Sequence, residues 1–227
     1  MILSDLLVQA RAQLDDTALP TLWSDPDVTG WLNEAIDEVC LRRRGILDST
    51  TPSICSLAIT PYVQRYHLDP TILKVERVRL GSNPVPLKKF TMGLMDDRVE
   101  YWDFPYRAGP PQFWFSDQDN KDHLVLVVVP FPNIADTMAL SVWRMPLDCE
   151  YLKAPKDTPP MPFYLHRGLT DWVEYRAYDR KDAETYDPAR SDRAYKRFED
   201  RYGKRPSADA LKLMGENALR GVQPQYF

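Results

Sequence analysis

The sequence predicts an α+β protein: a helical domain built from both ends of the chain, with an antiparallel β-domain inserted between them. Three observations carry this prediction. Apolar residues repeat with a helical period near both termini. Short strand-like runs separated by Pro, Asn and Asp turns fill the middle. Neither set of terminal helices supplies much core alone, so the two sets are expected to pack together.

The elements follow in order. Leu3, Leu6, Leu7, Ala10 and Leu14 fall on one helical face, and a polar stretch covers 15–21. In the second helix Ser24 is the N-cap, with Asp25 and Asp27 in the first turn beside the positive end of the dipole. Pro26 sits where its missing N–H does no harm. Val28, Trp31, Leu32, Ala35, Ile36 and Val39 form its apolar stripe. Arg42, Arg43 and Arg44 close it at the negative end, and Gly45 stops it. Strands are predicted over 54–59, 63–68 and 72–80, with turns at Thr60-Pro61, Asp69-Pro70 and Asn83-Pro84. Residues 92–100 are ambiguous and compatible with a short helix. Further strands are predicted over 112–116, 124–129 and 138–144, with 117–122 as the turn between the first two. Residues 125–129 show no alternation, which predicts a strand buried on both faces.

Pro159, Pro160 and Pro162 lead into a helix carrying Leu165, Leu169, Trp172, Val173 and Tyr175. Asp187-Pro188 is a cap followed by a first helical residue. That helix places Tyr195, Phe198 and Tyr202 along one side and ends at Gly203. Ser207 is placed to cap a last helix with Leu211, Met214, Ala218 and Leu219, and 221–227 have no helical pattern. The resulting division is 1–50 with 155–227 for the helical domain and 51–154 for the inserted β-domain.

Composition narrows the function. A chain of 227 residues with 44% hydrophobic side chains buries a core and is not wholly disordered. Twenty Pro against nine Gly indicate stiff connections. A net charge of −4 argues against a general nucleic-acid binder. Cys40, Cys55 and Cys149 are too few and too scattered for a secreted disulfide scaffold, and point to a reducing compartment. The longest apolar run, 124–129, is far short of a membrane span, and the N-terminus lacks the basic start of a signal peptide.

The search for chemistry yields little. There is no Gly-rich phosphate loop, nucleophile elbow or HExxH. His67, His123 and His166 are isolated in sequence, with structural or surface roles expected. The segment 117–122 begins like a calcium loop, but Asp122 stands where Gly is needed and Val128 where Glu is needed, so a solvated turn is expected. Asp15-Asp16 and Asp96-Asp97 read as loop or capping acids. Tyr101, Trp102, Phe104 and Tyr106, and then Phe113, Trp114 and Phe115, have only Arg98 and Arg107 nearby. They read as β-domain core or a protein interface rather than a stack for single-stranded nucleic acid. The run 42–44 either closes its helix or faces DNA or an acidic partner. The aromatic end Gln223, Pro224, Gln225, Tyr226 and Phe227 either docks on a partner, or packs on its own subunit or is left disordered. Two other functions stand beside these readings. One is a cell-wall glycosidase drawing its acids from Glu34, Glu100 and Glu174; the other is a carbohydrate- or protein-binding β-module using the aromatics of 101–115. No catalytic residue, metal ligand or cofactor is assigned.

A set of weak motifs in a particular order resembles the head-to-tail adaptors of short-tailed bacteriophages, also called gatekeeper or tail tubular proteins (tail tubular protein A-like). The set opens with Trp31-Leu32-Asn33-Glu34-Ala35, then Leu68-Asp69-Pro70-Thr71-Ile72-Leu73, Gly109-Pro110-Pro111-Gln112-Phe113 and Val128-Val129-Pro130-Phe131-Pro132. Trp143-Arg144-Met145-Pro146 follows, and then Met161-Pro162 with His166, Gly168-Leu169 and Ala177-Tyr178. The resemblance spans nearly the whole chain and implies a non-enzymatic virion protein, assembled in host cytoplasm and placed at the head–tail junction. It implies a ring, usually of twelve copies, that docks on the portal protein, extends the DNA channel and receives the tail nozzle. The helical part would build the ring, and 204–227 would be the portal-binding segment, with Gln223, Pro224, Gln225, Tyr226 and Phe227 as contacts. The β-domain would face the tail through Tyr101, Trp102 and Phe104. Double-stranded DNA would pass without sequence-specific binding, and no membrane is involved. Twelve chains at −4 sum to about −48 formal charges, which would repel phosphate from a lumen wall. Arg42, Arg43 and Arg44 would weaken that repulsion if they lined the lumen.

Overall fold

The computed structural model describes residues 1–119, 123–181 and 185–207. In chain order it holds α1 (Leu3–Leu14), α2 (Asp25–Arg43), β1 (Ile46–Asp48), α3 (Pro52–Cys55), β2 (Ser56–Ile59), β3 (Arg65–His67) and β4 (Ile72–Leu80). There follow β5 (Lys88–Lys89), α4 (Met92–Arg98), β6 (Phe113–Gln118), β7 (Leu124–Val129), β8 (Asp136–Arg144), α5 (Leu169–Asp179) and α6 (Pro188–Tyr202). Short 3-10 turns occupy Pro105–Arg107 and Phe163–Gly168. The fold is α+β, with helices towards both ends and sheets between them. The helix expected after Ser207 and the tail 223–227 lie outside the described residues.

Two compact units divide the described chain. Met1–Ile46 and Met145–Pro206 form the helical unit, and Leu47–Arg144 forms the β-unit.

In the helical unit α5 is the central element, contacting α1, α2 and α6. Leu6, Val28, Leu32, Ile36, Leu169, Val173 and Phe198 are completely buried in one cluster, each large side chain contributing about 1.5–3 kcal/mol. The expected caps are present: Ser24 Oγ accepts from the Asp27 amide (3.2 Å), and Asp187 accepts from the Arg190 amide (3.0 Å). The end of α2 differs in detail. Arg44 itself takes the left-handed conformation (φ 75°), and Gly45 follows in the same region (φ 82°). Leu165 lies in the 3-10 turn before α5 rather than in that helix. The connection leading to α5 is held to α2, since the Asn33 side-chain amide bonds both the N–H and the C=O of Leu152 (2.9 and 3.0 Å).

The β-unit contains two four-stranded sheets. In one, β8 is central, with β4 along one edge and β1 and β2 along the other. Ser56 to Ile59 pair with Ala139 to Asp136, and β4 runs antiparallel to β8 from Ile72↔Arg144 to Leu80↔Met138 with two bulges. The other sheet has the order β3-β7-β6-β5. As expected, Val125 to Val129 are all buried. Val125, Val127 and Val129 pack with Met95 and Phe115 on one face, so Leu126 and Val128 bury the opposite one.

The β-unit departs from expectation in three places. Residues 54–55 are helical because Pro52 opens a single turn, and β2 begins at Ser56. The sheets are not purely antiparallel, since β5 pairs with β6 in parallel. The two- and three-residue strands β5 and β1 are too short to carry a period and went unpredicted.

The two ends of the β-unit are tied by a buried ion pair. Arg144 Nε donates to Asp48 Oδ2 (2.7 Å), and Asp48 Oδ1 accepts from the Thr50 and Thr51 amides (2.9 and 3.1 Å). Burial works to raise the Asp48 pKa; the Thr50 and Thr51 hydrogen bonds and Arg144 outweigh it and hold the carboxyl well below the ordinary range.

Candidate functional site

The aromatic segment of the β-unit divides into two groups. Trp114 and Phe115 lie in β6 and are buried, and Phe113 packs edge-on against Phe90 at 4.7 Å. Tyr101, Phe104 and Tyr106 are exposed by 52, 45 and 70%, and their rings form a chain with 5.7 Å between neighbouring centroids. Trp102 turns inward. Its Nε1 donates to Asp96 (2.9 Å), and its ring meets Phe115 edge-on at 5.5 Å. The loop is held from behind by Gln64, whose amide donates to the Trp102 carbonyl (3.1 Å). Tyr101 has a left-handed backbone (φ 56°), and the Arg107 guanidinium lies 5.3 Å from its ring centre. Of the tail-facing candidates, Tyr101 and Phe104 therefore present their rings at the surface, joined by Tyr106, while Trp102 underpins them. Alternation along the segment could have separated the exposed rings from the buried one only with the loop geometry known.

The basic run at the end of α2 has a structural role. The Arg42 side chain is 1% exposed, pairs with Glu38 (3.3 Å) and donates to the Gly203 carbonyl (2.8 Å). Its guanidinium lies 5.0 Å from the Phe198 ring centre and 5.5 Å from that of Tyr195. Arg43 donates to the Arg201 carbonyl (2.7 Å). Both arginines thus satisfy carbonyls at the C-terminal end of α6, whereas the sequence suggested the end of their own helix.

The acids have partners of their own. Asp16 accepts from the Leu22 and Trp23 amides and pairs with Arg11, as expected for a loop acid. Glu34 pairs with Arg176 (2.8 Å). Glu174 is buried on α5 among Gln13, Arg190 and Arg197. Asp171, also buried, pairs with Arg197 and faces Arg201 at 3.6 Å. Glu34 and Glu174 are therefore ion-pair members within the helical unit.

The histidines are less isolated than their spacing suggests. His67 and His123 both approach the Asp119 carboxylate, at 3.6 and 3.2 Å. Among the described residues no group of three or more His, Cys, Asp and Glu is arranged to hold a metal ion. His166 is buried between the Met161 carbonyl (2.9 Å) and the Met1 nitrogen (3.1 Å), and burial pushes its pKa down. Cys40 and Cys55 are buried and Cys149 is exposed. No described helix is long and apolar enough to cross a membrane.

What these features define is a scaffold: two units, each with its own core, many charged groups occupied by internal pairs, and aromatic rings at the surface. Comparison with protein families identifies the class as a structural adaptor of bacteriophages, a component of the virion. The match is to the SU10 adaptor protein family and spans residues 1–220; the chain belongs to that family. Comparison with curated proteins gave no match.

Proposed function

We propose that this adaptor works at the head–tail junction, forming a ring of about twelve copies that docks on the portal, continues the DNA channel and receives the tail nozzle. Membership of the adaptor family supports this reading. The observation that carries the tail-facing role is the exposed chain of rings Tyr101, Phe104 and Tyr106, since contiguous exposed aromatic surface marks interaction sites. Trp102 sets the position of that loop. The helical domain, residues 1–50 and 155–227, builds the ring. The segment 204–227 reaches the portal, with Gln223, Pro224, Gln225, Tyr226 and Phe227 as its contacts. Double-stranded DNA passes through without sequence-specific binding. The burial of Arg42 leaves fewer cations to oppose the net negative charge in such a channel.

The test is the solution mass of the purified chain, alone and mixed with the portal protein encoded by the same phage. The expected result is a stoichiometric ring on the portal. A chain that ignores the portal would overturn the reading. Deleting residues 221–227 is expected to weaken portal binding while the helical unit stays folded; unchanged binding would remove the tail from the mechanism.

A further inference from the structure

The helical unit exposes two unlike apolar surfaces at opposite ends of α1, which at 12 residues is about 18 Å long. At its start, Met1, Asp5, Gln9, Phe163, Tyr164 and Arg167 line an open cleft of about 500 Å³. Phe163 and Tyr164 are 71 and 75% exposed. The turn that carries them is nonetheless fixed: Pro162 precedes it, the Phe163 ring lies 5.6 Å from that of His166, and Gln9 bonds the Arg167 carbonyl (3.2 Å). The backbone of this turn therefore needs little further ordering in a complex. The exposed Arg167 guanidinium makes no ion pair among the described residues. Asp5 shares the cleft and accepts from the Ile2 amide (3.2 Å).

At the other end of α1, Leu19 and Leu22 project from the loop into α2, 89 and 58% exposed. The loop is fixed by Asp16, which accepts from the Leu22 and Trp23 amides. This end is acidic. Of Asp15, Asp25 and Asp27, the Asp15 carboxylate is the most exposed, at 81%, and among the described residues its ion-pair partner is Arg190.

We propose that these two surfaces are the two halves of one contact between copies: Leu19 and Leu22 of one chain seat against Phe163 and Tyr164 of the next, with Arg167 facing Asp15 across the junction. The occupant is a second copy because the exposed apolar side chains of each surface lie beside one charge of opposite sign, Arg167 at one and the highly exposed Asp15 at the other. A contact joining unlike surfaces is head-to-tail, and such contacts propagate into rings when the rotation closes. The proposal rests on the ring in the proposed function and adds the surface that would build it.

The experiment uses particles assembled with variants of the full chain in which Cys149→Ser removes the exposed thiol. Leu22→Cys and Tyr164→Cys are introduced singly and together, followed by a short bismaleimide. The double variant is expected to give a ladder of linked multimers, and each single variant only monomer. Bands that stop at dimer, or dimers from a single variant, would overturn the head-to-tail geometry. Particles with a full adaptor complement and no ladder would overturn this surface and leave the ring standing; particles whose adaptor never multimerises would overturn both. Arg167→Asp is expected to lower incorporation at least tenfold, with recovery on adding Asp15→Arg. Loss without recovery would remove the ion pair from the proposal.

Discussion

Replacing Arg42 by Ala tests the role of the basic run most directly. The substitution removes a guanidinium that caps α6 at the Gly203 carbonyl, pairs with Glu38 and lies over three aromatic rings. Breaking a buried ion pair costs about 3–5 kcal/mol, and a desolvated cation–π contact contributes about 2 kcal/mol. These terms overlap, and Glu38 keeps Arg205 at 3.3 Å. A net loss of about 3 kcal/mol follows, or roughly a hundredfold in the opening equilibrium of the helical unit. Hydrogen exchange suits the measurement because it follows each unit separately. The slowest amides of α6 are expected to exchange roughly a hundredfold faster, while those of β7 stay unchanged. Arg42→Lys keeps the charge, loses the planar fork, and is expected to fall between the two. A surface arginine turned towards DNA would behave differently, with α6 protection within about 0.5 kcal/mol of the parent. That result would refute the structural role.

Four further outcomes are expected. Arg144→Leu leaves Asp48 buried without its cation and is expected to destabilise the β-unit by about 3–5 kcal/mol, measured by urea unfolding. The pH dependence follows from the depressed Asp48 pKa. Its contribution is complete above the unfolded-state value of about 3.9 and is lost as pH falls below that towards the folded value, so Asp48→Asn should flatten the acid limb of a β-unit stability profile. Gly168→Ala places a Cβ against the Arg201 side chain and the Tyr202 ring, and is expected to cost about 1–3 kcal/mol as a lowered Tm of the helical unit. Trp102→Ala is expected to destabilise the β-unit, whereas Phe104→Ala should leave it folded and weaken nozzle binding, as read by thermal unfolding and co-sedimentation.

Much of the fold was legible because it is written locally. The stripe on α2, the Ser24 and Asp187 caps, and the uniformly apolar β7 depend on residues within a few positions of one another. The β5–β6 pairing was not legible, because a two-residue strand has no period and parallel pairing depends on where the chain returns. Of the tail-facing candidates, the aromatic composition of 101–106 was visible, but which rings stay outside depended on Asp96 and Phe115 receiving Trp102.

The sequence by itself determined the class of the protein and the order of its elements. Helix periods, caps, turns and family motifs are all short-range patterns, encoded in neighbouring residues. Only the tertiary structure decided what the charged residues do. Glu174, a candidate acid of the glycosidase reading, lies buried on α5 with Asp171; Arg42 reads as a helix end and supports a different helix. Arg42 meets Gly203 across 161 positions, and Arg144 meets Asp48 across 96. A charge is tolerated in the interior only when its partner arrives with it, and folding brings that partner from a distance no local pattern records.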